Sequence, residues 1–351
     1  MTQKYKFLFV AKDMGGANVT IPMAKVARDE VGDEVGFITE GLATERVRKA
    51  GFEPAFAGTK DFRDEPFEFD AAAFLAEHKP DYVVVGQGHP INLEERITLA
   101  ANERRIPVIS VTDFWGGASR IAAKLDAIIC LDGYDQSLAL RSHPEARKMV
   151  IAGNPGVPTS EERGRIIAES KALDSLRAVY SDIIVYVGGA PDRTTRDLEL
   201  VVSSLLLTRG RGKPGLIFRP HPKHANRLNG EGRRYGDIWR EMFTMLGGQY
   251  IGECSELATD KVVASADVVV SDYSTLITTA AALEKRTVSL VTEASMKSLT
   301  SGSNSKVIPQ VYLGLSFPLS EPMDLSKVTY PNPEVVRRLK PFDAKTAFLL
   351  F

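Results

Sequence analysis

Long apolar runs and signal-like segments are missing from this sequence of 351 residues. No apolar stretch is long enough to span a lipid bilayer, and the first residues lead directly into a strand-like run rather than into the apolar segment of a signal peptide. We therefore expect a cytoplasmic protein without a transmembrane segment. Peripheral contact with a membrane surface stays open at this stage.

An excess of charge of either sign is also missing. The sequence has 44 Lys and Arg residues against 45 Asp and Glu residues, which gives a formal net charge of -1. A balanced chain creates no global field that would attract nucleic acid or an anionic membrane, so no nucleic-acid partner is expected. The hydrophobic content of 44% and the charged content of 25% are typical of a soluble globular protein.

Cysteine is scarce, and the two cysteines present are Cys130 and Cys254. They lie far apart, show no metal-ligand spacing, and each ends an apolar strand-like run. Buried free thiols are therefore expected rather than a disulfide, which agrees with a reducing compartment.

What the sequence does contain is a regular alternation of strand-like and helix-like segments in both halves. This pattern predicts an α/β fold made of two Rossmann-like, doubly wound parallel sheets. The strands are predicted at 6–11, 35–39, 82–85, 108–112, 127–131 and 149–152, and then at 183–187, 216–219, 250–252, 267–270 and 287–291.

A run of two glycines and two prolines at 153–158 interrupts the alternation and predicts a crossing between domains. The predicted domains are 1–155 and 156–332, followed by a helical tail at 333–351 that Pro341 breaks. Because 351 residues are too many for one ordinary core, two domains also suit the length. Two such domains are expected to face each other across a cleft that holds the ligand.

The stretch 266–283 predicts a buried strand, a polar turn and an Ala-rich helix that begins near Ser274 or Thr275. The first N–H groups of a helix and its dipole favour an anion, so this turn is a candidate phosphate site. A plain N-cap is the alternative role for both hydroxyl residues.

Two further segments of the second half could contact the same phosphate. Arg219 and His221 end a predicted strand, where guanidinium and imidazole groups can bind a diphosphate. Gly188 and Gly189 follow another strand and would let the backbone approach a ligand closely. The alternatives are a solvated basic loop and a simple tight turn.

The first half carries a glycine-containing loop at 13–18, with Gly15 and Gly16, which lacks the full G-x-G-x-x-G spacing of a dinucleotide site. Although Glu40 could mimic the ribose-binding acid, so incomplete a pattern does not favour NAD. Trp115 lies in an aromatic and glycine cluster that could stack on a sugar.

Three residues at predicted strand ends of the first half are candidates for a catalytic base: Asp113, Asp13 and His89. Helix capping is the alternative for both aspartates, and a turn position is the alternative for His89. No Asp-x-Asp metal motif is present, so we expect neither a metal ion nor a cofactor, and the positive groups would stabilise a leaving diphosphate.

The motifs Arg219-Pro220-His221-Pro222 and Asp272-Tyr273-Ser274-Thr275 resemble those of the GT-B superfamily, which contains glycosyltransferases and nucleotide-sugar 2-epimerases. Locally they are most similar to the CDP-glycerol glycerophosphotransferases. The resemblance implies that the second domain binds a nucleotide-sugar donor and that the first domain, including its loop at 13–18, binds a small-molecule or glycan acceptor.

The function expected from this resemblance is a metal-independent transferase that moves a glycosyl group from a nucleotide-activated donor to an acceptor hydroxyl. Three alternatives stay open: a CDP-glycerol-type glycerophosphotransferase, a nucleotide-sugar 2-epimerase, and a non-catalytic nucleotide-sugar-binding protein. An epimerase needs several acids and a histidine, for which Asp13, Asp113 and His221 are available.

Overall fold

The computed structural model of the protein describes residues 5–58, 69–88, 93–208, 212–221, 224 and 226–351. The chain divides into two compact units. The N-terminal unit comprises Met1–Pro155, Gly302–Ser305 and Lys340–Phe351, and the C-terminal unit comprises Gly156–Ser301 and Lys306–Leu339.

The N-terminal unit contains a parallel sheet of seven strands in the order β3-β2-β1-β4-β5-β6-β7. The strands are β1 (Phe7–Ala11), β2 (Val35–Glu40), β3 (Phe56–Gly58), β4 (Tyr82–Val85), β5 (Val108–Val111), β6 (Ala127–Cys130) and β7 (Lys148–Ile151). The helices between them are α1 (Met14–Lys25), α2 (Leu42–Lys49), α3 (Ala71–His78), α4 (Leu93–Glu103) and α5 (Gly133–Ser142), with a π-helical segment at Val26–Val31 and a 3-10 turn at Gly117–Arg120.

Alternating side chains of β1 supply two hydrophobic cores, one on each face of this sheet. Phe7 and Phe9 pack with residues of α1, whereas Leu8 and Val10 pack with residues of α4. A parallel sheet covered by helices on both faces requires such continuous apolar strands. This explains why β1 reads as an unbroken apolar run rather than as an alternating one.

The C-terminal unit repeats the arrangement with a parallel sheet of six strands in the order β10-β9-β8-β11-β12-β13. The strands are β8 (Ile183–Val187), β9 (Gly215–Arg219), β10 (Tyr250–Gly252), β11 (Val268–Ser271), β12 (Arg286–Leu290) and β13 (Phe317–Leu319). The helices are α6 (Ser160–Glu169), α7 (Pro191–Leu207), α8 (Tyr235–Phe243), α9 (Thr259–Ser265), α10 (Thr275–Ala282), α11 (Glu293–Ser303), α12 (Pro309–Tyr312) and α13 (Pro333–Arg338), with 3-10 segments at Ser170–Ala178, Thr244–Gln249 and Leu325–Lys327.

The same alternation builds the cores of this unit. Ile184 and Tyr186 of β8 pack with α7 and α8, while Ile183 and Val185 pack with α9 and α10. The predicted α/β class with two doubly wound parallel sheets is therefore confirmed.

The end of the chain forms the short helices α13 and α14 (Ala344–Phe348) on either side of Pro341. The segment from Lys340 onward is part of the N-terminal unit, where the rings of Phe348 and Phe351 lie 5.2 and 4.8 Å from that of Phe7. Residues after 340 therefore complete the first core, whereas the sequence predicted a separate tail.

None of the helices in the described ranges combines the length and the hydropathy that crossing a membrane requires.

Candidate functional site

In each sheet the strand order reverses between two neighbouring strands, β1 and β4 in the N-terminal unit and β8 and β11 in the C-terminal unit. Open α/β sheets bind ligands at the carboxyl ends of such strand pairs, because the connections that follow the two strands leave in opposite directions there. We call each of these two places a switch point. The loops at these two places contain most of the residues that the sequence predicted to be functional.

At the N-terminal switch point, two carboxylates surround Gly15. Asp13 caps α1, with its Oδ1 accepting a hydrogen bond of 3.0 Å from the N–H of Gly16. A Cβ atom placed on Gly15 would lie 1.7 Å from Oδ2 of Asp113 and 3.4 Å from Oδ1 of Asp13. The two carboxylate oxygens are therefore no farther apart than the sum of these distances, and only glycine fits beneath them.

This arrangement perturbs Asp113. Burial, followed by the negative charge of Asp13, raises the pKa of Asp113 from 3.8 to about 7. The residue keeps partial exposure, although its Oδ1 is buried and has no hydrogen-bond partner among the described residues. A carboxyl group whose pKa is raised towards neutrality suits proton transfer.

Glu94 on α4 is a member of this carboxylate cluster that sequence reasoning missed. It is 0% exposed, and neither carboxylate oxygen has a hydrogen-bond partner in the described part of the chain. Burial is the main cause that raises the pKa of Glu94 to about 8, with the charge of Asp13 adding to it and Lys12 opposing it. In the sequence Glu94 resembled an ordinary acid of a first helical turn, which the helix dipole favours.

A second buried acid holds the loop that carries Asp113. Asp135 of α5 accepts hydrogen bonds from Oγ1 of Thr112 (2.6 Å), from the N–H of Gly116 (2.7 Å) and from the N–H of Leu131 (3.0 Å). Burial raises the pKa of Asp135 to about 6, although these hydrogen bonds oppose the shift. Asp135 therefore fixes the position of the neighbouring Asp113.

The prediction that Trp115 stacks on a sugar needs correction. Trp115 is 0% exposed, and its indole Nε1 donates a hydrogen bond of 2.8 Å to Oδ2 of Asp132. A buried ring with its polar atom already paired offers no face to a ligand. The ring instead anchors the loop after β5 to the start of α5.

Gly16 lies under backbone of the neighbouring strand end, since a Cβ atom on Gly86 would be 2.7 Å from Cα of Gly16. This close approach requires glycine at position 86, whereas a Cβ atom on Gly16 would lie 3.4 Å from its nearest neighbours. The acceptor-side role predicted for Gly15 and Gly16 stays a prediction. His89, the third candidate base, lies outside the described residues.

At the C-terminal switch point, a buried ion pair joins the loop after β11 to α7. Nη1 of Arg193 lies 2.9 Å from Oδ2 of Asp272, and the two side chains are 13% and 6% exposed. The guanidinium group also lies over the ring of Tyr273, 4.9 Å from its centroid. A Cβ atom on Gly189 would be 2.7 Å from Oδ2 of Asp272, so glycine at this position makes room for the pair.

Ser274 caps α10, and its hydroxyl accepts a hydrogen bond of 3.3 Å from the N–H of Leu276. The capping role that the sequence offered as an alternative is thus present, and it is compatible with anion binding by the neighbouring N–H groups. The phosphate roles of Ser274, Thr275, Gly188 and Gly189 stay predictions.

Arg219 has a different role from the predicted one. Its Nη1 donates to the carbonyl oxygens of Glu253 (2.9 Å) and Cys254 (2.6 Å), and its Nη2 donates to that of Leu257 (3.2 Å). These N–H groups hold the loop after β10 and are not offered to a diphosphate, which corrects the prediction. His221 is exposed, with its ring 4.7 Å from that of His224, and its phosphate role stays a prediction.

A cavity of about 480 Å³ lies between the first turns of α7 and α11. Three of its lining side chains are cationic, Arg193, Arg196 and Lys297, and none of these was singled out in the sequence. The i, i+3 spacing of Arg193 and Arg196 directly after a predicted strand was the signal available. Across the described ranges, no three His, Cys, Asp or Glu side chains are arranged to hold a metal ion.

The two sheets, each ordered 3-2-1-4-5-6 from its first strand and extended by a seventh strand in the N-terminal unit, define the fold class: the chain has the GT-B fold, as the sequence resemblance implied. Among similar solved structures is the UDP-GlcNAc 2-epimerase of Methanocaldococcus jannaschii in complex with UDP-GlcNAc and UDP, with a TM-score of 0.62 and 13% identity over 98% of both chains.

Two other similar structures come from bacteria. MnaA of S. aureus with UDP has a TM-score of 0.61 and 13% identity over 95% of this chain and 86% of that one. MurG of Acinetobacter baumannii has a TM-score of 0.53 and 14% identity over 98% of both chains. No family model and no curated protein matches the sequence. At these identities the likeness establishes the fold.

Proposed function

We propose that the protein is an enzyme that epimerises the sugar of a nucleotide sugar. The observation that carries this proposal is the carboxylate pair Asp13 and Asp113 around Gly15, in which the pKa of Asp113 is raised to about 7. Two neighbouring carboxyl groups, one of which has a raised pKa, can supply one member that accepts a proton and one that donates it. The sequence left epimerisation as an alternative to glycosyl transfer.

Inversion of a carbon that bears hydrogen needs both functions, because a proton leaves one face and another returns on the opposite face. The hydrogen on the carbon next to the anomeric carbon is not acidic by itself. Its removal is therefore best coupled to departure of the nucleoside diphosphate from the anomeric carbon, which leaves a double bond between the two carbons. Return of the diphosphate and of a proton completes the reaction with all atoms balanced. In this scheme Asp13 accepts the first proton and Asp113, whose pKa is raised, supplies the second.

The C-terminal unit would bind the diphosphate. We assign it to the start of α10 at Ser274 and Thr275, to the backbone at Gly188 and Gly189, and to His221. Holding the released nucleotide keeps it available for the return step. We propose that this chemistry proceeds without a metal ion or other cofactor.

The similar structures support this choice. Several are UDP-GlcNAc 2-epimerases, and two of these have UDP-GlcNAc bound. UDP-GlcNAc is therefore the first substrate to test. The buried acid Glu94 adds a third carboxyl group near Asp13, and several neighbouring acids are what an epimerase needs.

Glycosyl transfer is the second candidate. It needs a single base near neutrality, and the pKa of about 7 for Asp113 also suits that role. The two reactions differ in their requirement for a second substrate, because epimerisation proceeds with the nucleotide sugar alone.

The test uses purified protein and a panel of UDP-, GDP-, CDP-, TDP- and CMP-activated sugars. Calorimetry measures binding, and NMR of the sugar follows epimer formation without an acceptor. We expect conversion of at least one donor, its loss in Asp113→Asn, and no change in Glu103→Gln, which alters an acid of α4 whose side chain is 75% exposed. Binding without conversion, followed by nucleotide release once an acceptor is added, would establish transfer instead. A CDP-activated polyol is added to the panel, because a glycerophosphotransferase would react only with that donor. A non-catalytic binding protein would bind a nucleotide sugar without epimerisation or transfer.

A further inference from the structure

Gln310 of α12 contacts the turn that leads into α10. Its side-chain Nε2 donates hydrogen bonds to the carbonyl oxygens of Tyr273 (3.3 Å) and Ser274 (3.2 Å), and the residue is 0% exposed. Two carbonyl acceptors identify the amide atom that faces them as nitrogen, because only the NH2 group can donate. Gln310 therefore holds this turn from the interior of the C-terminal unit.

The segment that carries Gln310 is itself fixed to the sheet. The carbonyl oxygen of Gln310 accepts hydrogen bonds from the N–H groups of Leu315 (2.8 Å) and Ser316 (3.2 Å). Thr287 of β12 donates through Oγ1 to the carbonyl oxygen of Leu315, and Oγ of Ser289 on the same strand shares a hydrogen bond of 2.7 Å with Oγ of Ser316. Since β12 is a neighbour of β11, the strand before the turn, the amide is held by the same sheet as the turn.

Holding the two carbonyl groups also directs two N–H groups. In a planar trans peptide the C=O and the N–H point to opposite sides, so the N–H groups of Ser274 and Thr275 point away from the amide of Gln310. Both residues are partly exposed, and neither N–H has a hydrogen-bond partner among the residues that the structure describes. The turn therefore presents unused donors on the side opposite Gln310.

The other atom of the amide indicates that Gln310 serves the turn rather than the stability of the core. Its Oε1 is buried and has no hydrogen-bond partner in the described part of the chain. A buried acceptor without a partner costs free energy, and an apolar side chain of similar length, such as methionine, would avoid that cost. What glutamine adds, and methionine lacks, is the pair of hydrogen bonds to the turn.

We propose that Gln310 is a positioning residue for the diphosphate of the nucleotide. It fixes the peptide groups after Tyr273 and Ser274 so that the start of α10 offers N–H groups rather than carbonyl oxygens to the anion. A carbonyl oxygen that rotated toward the diphosphate would repel it, and the amide of Gln310 prevents that rotation. The inference rests on the proposed diphosphate site at Ser274 and Thr275, but not on epimerisation, because any nucleotide bound there depends on the same turn.

The test measures UDP binding by calorimetry in the wild type, Gln310→Met and Gln310→Glu. Gln310→Met keeps the length of the side chain and removes both donor hydrogens. The matched control is Gln249→Met: Oε1 of Gln249 is also buried without a partner in the described ranges, but Gln249 precedes β10 at the amino edge of the sheet. Urea unfolding verifies that each variant is folded. GDP, CDP and TDP replace UDP if the wild type does not bind UDP.

We expect Gln310→Met to bind UDP at least about 5-fold more weakly than the wild type, with Gln249→Met unchanged. Gln310→Glu provides a rescue by pH, because a carboxyl group at this position can donate a hydrogen bond to the turn only when it is protonated. Its affinity relative to the wild type at the same pH should therefore be higher at about pH 6 than at about pH 9, since burial raises the pKa of a carboxyl group. A loss caused by altered packing alone would not respond to pH.

Three results would overturn the inference: unchanged UDP affinity in Gln310→Met, an equal loss in Gln249→Met, or an affinity ratio for Gln310→Glu that does not depend on pH. Failure of the wild type to bind any nucleoside diphosphate would overturn it together with the proposed diphosphate site. Binding without epimer formation would refute epimerisation alone, and the same affinities would still decide the role of Gln310.

Discussion

The substitution Glu94→Gln tests whether a carboxyl group is buried without compensation beside Asp13. Its pKa is about 8 in the folded protein against an ordinary value of 4.5, so the folded protein retains a proton that the unfolded chain releases. The contribution of the protonated group to stability is therefore full below pH 4.5 and is lost as the pH rises through 8. At about 1.4 kcal/mol per unit, the loss reaches at most about 5 kcal/mol, and structural relaxation reduces it.

We expect Glu94→Gln to be about 2 to 5 kcal/mol more stable than the wild type at pH 9 and close to it at pH 4.5, because glutamine cannot ionise. The measurement is urea unfolding at both pH values. Hydrogen exchange in peptides from β1 and β4 is the readout, so that unfolding of the N-terminal unit is observed. Glu103→Gln, an exposed change on the same helix, provides the control. An equal difference in stability between wild type and Glu94→Gln at both pH values would show that ionisation of this buried carboxyl group does not destabilise the folded protein.

Four further outcomes follow from the two switch points. Epimerisation requires the proton on Asp113, so kcat/KM should fall with a single-proton dependence as the pH rises through about 7, whereas a transferase using Asp113 as a base would gain activity over that range. Gly15→Ala should displace the Asp113 carboxylate and lower turnover at least 10-fold, while Gly133→Ala, where an added Cβ meets no atom within 4 Å, should leave it unchanged. Arg193→Met or Asp272→Leu alone should each lower the free energy of unfolding in urea by about 3 kcal/mol, because each leaves a buried charge unpaired. The double variant should lose clearly less than the sum of the two, and additive losses would disprove the coupling. Treatment with a chelator should leave turnover intact, and a loss restored by a divalent cation would contradict the proposal of metal-free chemistry.

The fold was predictable because parallel strands buried on both faces are continuous apolar runs that alternate with helices. The two strands that sequence reasoning missed, β3 and β13, have three residues each and lie at the sheet edges. Runs that short carry little periodicity to distinguish them from loops, although β10, also an edge strand of three residues, was predicted at 250–252. The packing of Phe348 and Phe351 against Phe7 was equally invisible, since nothing local in a terminal helix specifies a partner more than 300 positions away.

The sequence located the loops of the two switch points more reliably than it assigned the side chains within them. Asp13 and Asp113 lie together at a strand-order reversal, which a sequence pattern can suggest, because polar residues after buried strands meet at one edge. Arg219 and Trp115 were misassigned because residue type and position indicate that a group is near a site, but not that a carbonyl or a carboxylate already occupies its donors. Glu94 and Arg193 were missed because burial and unused hydrogen-bonding atoms are properties of the folded protein.

The most direct test of the central claim is incubation with UDP-GlcNAc in deuterated water without any acceptor, followed by proton NMR. Acid/base epimerisation predicts a second nucleotide sugar that carries solvent deuterium at the inverted carbon, formed by the wild type and not by Asp113→Asn. Binding of UDP-GlcNAc with neither an epimer nor deuterium in the sugar would contradict epimerisation of that substrate, and the same result across the full panel of nucleotide sugars would contradict the account as a whole.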